Sequence, residues 1–120
     1  MFRAKDDVTL LPMIDVTLPR AGARNLQFRG VLLAEVESKR DGVPRWTRLS
    51  LYQSETAKLV AVECGMSSLD GEKTRFKAWI ADAFANVHHQ PERWIVSKFG
   101  WGELAKKLYQ KLGIDTAERV

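Results

Sequence analysis

The chain has 120 residues, 45% hydrophobic and 28% charged, which suits one globular domain and excludes a disordered tail, a collagen-like repeat and a disulfide scaffold. Nineteen Lys and Arg against 15 Asp and Glu leave a net charge of +4, enough to favour acidic partners but too little for a protein that coats DNA. The single cysteine, Cys64, allows no internal disulfide and points to a reducing, cytoplasmic setting.

At the N-terminus Asp6, Asp7, Pro12 and Asp15 interrupt the apolar residues, which is not the pattern of a secretory leader. No apolar run approaches the roughly 20 residues of a membrane span, so no membrane association is expected. Residues 8–18 are aliphatic and β-branched but include Pro12, which cannot donate to a ladder, so an edge strand or two short pieces is expected. Residues 19–25, with Gly22, form a connection. Along 27–37, Phe28, Gly30, Leu32, Ala34 and Val36 alternate with Arg29, Val31, Leu33, Glu35 and Glu37, and the first set is the natural core face. Lys39, Arg40, Asp41 and Gly42 then supply a hairpin turn, with Pro44 behind it. A second strand, 45–53, sets Trp46, Arg48, Ser50 and Tyr52 against Thr47, Leu49 and Leu51. A polar turn at 53–56 leads to a third, 58–64, in which Val60, Val62 and Cys64 oppose Leu59, Ala61 and Glu63.

After Gly65 the period changes from two to about 3.6. Phe76, Trp79, Ile80, Ala83, Phe84 and Val87 make the stripe of an amphipathic helix, capped by Asp70 or a neighbouring Ser and ending near His89, before Pro91. Residues 91–98 read as a short helix opened by Pro91 and Glu92, with a strand over Trp94, Ile95 and Val96 as the alternative. Residues 102–112 form a last helix that aligns Trp101, Leu104, Ala105, Leu108 and Leu112, with Gly113 at C′ and Ile114 packing back. Strands first and helices afterwards imply a single α+β domain over 1–120. Its antiparallel β-meander of three to four strands (about 8–65) is followed by two to three helices (about 72–113) packed on one sheet face.

The chemistry-bearing residues do not assemble into a catalytic pattern. His88 and His89 are adjacent, hence about 100° apart on a helix, and lack further ligands at zinc spacing, so no metal or other cofactor is expected. Cys64 lies in an apolar strand with no activating neighbour in sequence. Glu35 and Glu37 share a strand face about 7 Å apart, a spacing open to acid and base chemistry but more often a solvated face. Gly100 and Gly102 lack the third glycine and the Lys of a phosphate loop. The expectation is a protein that is not an enzyme.

The Phe28-Arg29-Gly30 opening, the Arg45-Trp46 pair and Leu51-Tyr52 ahead of a polar turn resemble a segment of small plasmid and integrative-element proteins, including the C-terminal part of EXLDI-type proteins. The resemblance covers residues 28–62 and implies a mobile-element context; no activity comes with it. The leading expectation is a stoichiometric inhibitor of a host defence complex, anti-CRISPR-like or otherwise anti-defence. It would act through Arg29, Lys39, Arg40, Arg45, Trp46, Arg48 and Tyr52, a mixture of cations and aromatic surfaces. The alternative is a nucleic-acid-binding accessory or regulator. It would use the same face, or a helix-turn-helix whose second helix presents Lys106, Lys107, Gln110 and Lys111. The partner is thus a protein complex or a nucleic acid, and the apolar edge at 8–18 leaves room for a homodimer.

Overall fold

Alternating apolar side chains over residues 26–67 generate three long strands, and the flanking segments add one strand on each side. The computed structural model describes residues 12–20, 22–81 and 91–119. Within them run β1 (Ile14–Leu18), β2 (Leu26–Glu37), β3 (Arg45–Ser54), β4 (Leu59–Ser67), β5 (Arg75–Ala81), α1 (Pro91–Phe99) and α2 (Glu103–Leu112). The strands form one sheet in the order β1-β2-β3-β4-β5, each antiparallel to the next, so the fold is an α+β meander with two described helices. No described helix is long and apolar enough to cross a membrane.

The expectation of three to four strands and a helix from about residue 72 is corrected: 75–81 is β5. Phe76, Trp79 and Ile80 fit a helical stripe, but they fit a strand equally well and are residue types that favour one. In β5, Phe76 and Ala78 join Val60, Val62 and Cys64, while Trp79 and Ala81 join Leu59 and Ala61 on the other face. Pairing with β4 decides the outcome, with Ala61 opposite Trp79 and Val62 opposite Ala78. The rest of the expected helix, 82–90 with His88 and His89, lies outside the described residues. So do residues 8–11 of the expected edge strand, whose remainder is β1.

A second correction concerns β2. Its register with β3 slips between Leu32, opposite Tyr52, and Ala34, opposite Leu51, so Leu33 is the extra residue of a bulge. One inserted residue exchanges the faces of everything beyond it. Phe28 therefore packs edge-on against Tyr52, ring centroids 5.4 Å apart, in one apolar cluster. Ala34 and Val36 belong to the other cluster, beneath the helices, and Glu35 and Glu37 turn toward the face of Arg48 and Ser50.

Both helices lie on one sheet face. Trp94 and Ile95 of α1 and Ala105, Leu108, Tyr109 and Leu112 of α2 pack over Leu49, Leu51, Leu59 and Ala61. The Tyr109 hydroxyl donates to the Gly100 carbonyl at 2.5 Å, fixing the turn between the helices. Helix α2 ends as expected: Gly113 is left-handed (φ 77), its N–H donates to the Gln110 carbonyl, and the N–H of buried Ile114 donates to the Tyr109 carbonyl.

Gly30 of β2 lies opposite Ser54 of β3, hard against its backbone. A Cβ there would run into the Gln53 carbonyl oxygen and come within 2.9 Å of the Ser54 Cα, and backbone atoms cannot move aside as a flexible side chain can. Gly30→Ala is expected to lower unfolding free energy by about 1–3 kcal/mol, read as a lower urea midpoint at unchanged slope; an unchanged midpoint would show that the strands separate freely there.

Candidate interaction surface

Three of the seven residues expected to form one binding face are engaged elsewhere or lie apart from it. Arg48 reaches across to β2, its Nη2 2.5 Å from Glu37 Oε1 and its Nε 3.8 Å from Glu35 Oε1. Ser50, buried beside it, donates to Glu35 Oε2 at 2.8 Å. This ladder occupies both carboxylates as well as Arg48, whose affinity for its proton rises through the hydrogen bond to Glu37. Tyr52 is half-buried against Phe28, and burial raises its phenol pKa. It stands six residues from Trp46, about 20 Å along the strand. Arg29 points to the opposite face from Phe28, pairs with Asp15 at 3.4 Å, and lies near the turn after β3. Burial also pushes the Cys64 thiol up to about 11, so its nucleophilic thiolate is scarce near neutrality. Among the described residues, no three His, Cys, Asp or Glu side chains are grouped to hold a metal.

Lys39, Arg40, Arg45 and Trp46 do come together, at the end of the sheet where two turns lie side by side. Arg40, Asp41, Gly42 and Val43 form the first turn, closed by the Val43 N–H on the Arg40 carbonyl. Leu69, Asp70, Gly71 and Glu72 form the second, closed by the Glu72 N–H on the Leu69 carbonyl. Each has glycine third, at φ 79 and 81, the left-handed conformation that glycine adopts without strain. The Ser68 N–H donates to the Pro44 carbonyl at 2.9 Å and ties the turns together.

The second turn is braced from below. Arg45 donates through Nε and Nη2 to Glu72 at 2.9 and 2.8 Å, a two-pronged contact, while Ser67 Oγ donates to the same carboxylate at 2.6 Å. Between the turns stands Trp46, with Lys39 Nζ 4.7 Å from its ring centroid. Its Nε1 is enclosed and has no acceptor among the described residues, a loss of about 1–3 kcal/mol. Trp46 walls two depressions. One, of about 330 Å³, lies toward Lys39, Arg40 and Val43; a larger groove, of about 960 Å³, lies toward Arg45, Lys73 and Arg75. Val43 (47%) and Leu69 (42%) are exposed at the tips.

Sequence reasoning missed Ser67, Leu69, Glu72, Lys73 and Arg75 because it placed a helix where β5 runs. The available signal was Asp70-Gly71, the same pair that marks the first turn at Asp41-Gly42.

The lysine face of α2 is arranged differently from a free recognition helix. Lys111 Nζ donates to the Glu35 carbonyl at 2.9 Å, and Lys106 lies 3.7 Å from Glu103. Lys107, Gln110 and Lys111 line a shallow depression with Val36 and Glu37, beside β2. Comparison of the chain with family models, with curated proteins and with solved structures returned no match.

Hydrogen bonds from Arg45 and Ser67 hold the Glu72 carboxyl down to about 2. A carboxyl depressed on folding stabilises the fold above its unfolded pKa, near 4.3, and that contribution fades as pH falls toward about 2. Glu72→Gln is therefore expected to flatten the decline of melting temperature between about pH 5 and pH 2. Identical pH profiles for the variant and the parent chain would remove the linkage.

Proposed function

We propose that this chain is a non-enzymatic binding protein that engages an acidic protein partner through the paired-turn end of its sheet. The observation that carries this reading is the bridging of the two Asp-Gly turns by Ser68 and Pro44. That bridge brings exposed Val43 and Leu69 together beside Trp46, in a setting of Lys39, Arg40, Arg45, Lys73 and Arg75 against Asp41, Asp70 and Glu72. Aliphatic and aromatic anchors inside a charged rim are the usual make-up of a protein-binding hot spot. Single-stranded nucleic acid favours successive stacking aromatics along a cationic track, whereas among the described residues Trp46 is the one aromatic at this end, with Lys39 over its ring.

Occupying a partner requires no catalytic group, and the two carboxylates nearest to acid and base spacing are committed to Arg48 and Ser50. Inhibition of a host defence complex is one form such a binder can take; the resemblance of residues 28–62 supports only the mobile-element context in which that role would arise.

The test is affinity capture with Val43→Asp/Leu69→Asp beside the parent chain. The variant is expected to lose a partner that the parent retains, at a melting temperature within about 4 °C of the parent, as suits exposed positions. Equal retention of the same partner by both chains would dismiss this end of the sheet as the binding surface.

A further inference from the structure

The larger depression beside Trp46 holds more positive charge than its internal partner can balance. Arg45, Lys73 and Arg75 line it with Glu72 as the only carboxylate among the described residues, and Glu72 is already shared between the Arg45 guanidinium and Ser67. The Lys73 and Arg75 side chains make no hydrogen bond or close ion pair with the described residues, and the charge of Arg75 acts on Glu72 only through space. Gly65, opposite both Thr47 and Arg75, contributes no side chain to the floor, so the groove stays open between β3 and the start of β5.

We propose that this groove is a carboxylate-binding subsite that takes an acidic peptide segment of the protein partner, with Lys73 and Arg75 meeting its carboxylates. The proposal rests on the protein-binding reading and deepens it. Carboxylates spaced along a peptide match a short cluster of cations such as Arg45, Lys73 and Arg75. A phosphodiester strand calls for a longer cationic track with repeated stacking surfaces. The groove already shows the chemistry in miniature: the Glu72 carboxylate accepts from a guanidinium fork and a hydroxyl at 2.6–2.9 Å.

Binding of labelled oligoglutamate and of labelled oligothymidylate of equal charge is to be measured by fluorescence anisotropy at one low ionic strength. Lys73→Ala/Arg75→Ala is expected to weaken oligoglutamate binding about tenfold. Arg24→Ala/Lys58→Ala removes the same charge from exposed positions at the far end of the sheet and is expected to change binding less than about twofold. Equal losses in the two double variants would reduce the effect to net charge and overturn the subsite. Tighter binding of oligothymidylate than of the peptide would overturn it in favour of nucleic acid. The assay probes the groove alone, so its failure leaves the capture test on Val43 and Leu69 standing, and the reverse holds as well.

Discussion

Leu59, Val60, Ala61 and Val62 are four consecutive residues buried on alternating sides of β4, and that burial constrains everything around them. A strand with both faces buried needs cover on two sides, and its backbone needs a hydrogen-bonding neighbour at each edge. Strand β3 meets one edge and β5 the other. The helices cover Leu59 and Ala61, while Val60 and Val62 cluster with Val16, Leu18 and Cys64, brought into reach through Phe28 and Tyr52. The constraint explains why 75–81 is a strand. A solvated helix there would bury one stripe of its own but leave an edge of β4 unpaired in the middle of the core.

The bulge at Leu33 has a comparable reach. Without it Glu35 and Glu37 would lie beneath α2 among Leu49, Leu51 and Leu108, where a carboxylate without a partner is costly. With it they meet Arg48 and Ser50, and the polar residues of β3 acquire partners within the sheet. The consequence for function is subtraction. Arg48 and Tyr52, set out by alternation as if for display, serve the sheet, and the residues left for an external partner lie at its end.

Local chemistry was a good guide where one element could satisfy it. The meander of β2, β3 and β4, the first turn, α1 opened by Pro91 and α2 closed by Gly113 are all legible from alternation, turn residues and caps. What escaped depended on contacts distant in sequence. Phe76, Ala78, Trp79 and Ala81 satisfy two periodicities, and only the need of β4 for a second neighbour chooses between them. A bulge leaves almost no mark in a run as apolar as Val31, Leu32, Leu33 and Ala34, because either face accepts those side chains. Half of the interaction surface was hidden for the same reason: once Asp70 is taken as a helix cap, its partnership with Gly71 as a turn is lost, and Glu72, Lys73 and Arg75 fall on a helix surface.

The paired-turn end has the properties that binding requires of a small domain. Its turns are closed by their own hydrogen bonds, tied to each other by Ser68 and Pro44, and braced by Arg45 on Glu72 and by Ser38, which exchanges hydrogen bonds with Thr47. A surface already ordered loses less conformational freedom on association, so more of its contact energy appears as affinity. Because Glu72 stays ionised down to about 2, the brace is unaffected by protonation of that carboxyl across the physiological range. The same brace commits the Glu72 carboxylate to Arg45 and leaves Lys73 and Arg75 without a hydrogen-bonded carboxylate of their own among the described residues. Rigidity and residual charge thus have one origin, the use of a single carboxylate to hold the second turn.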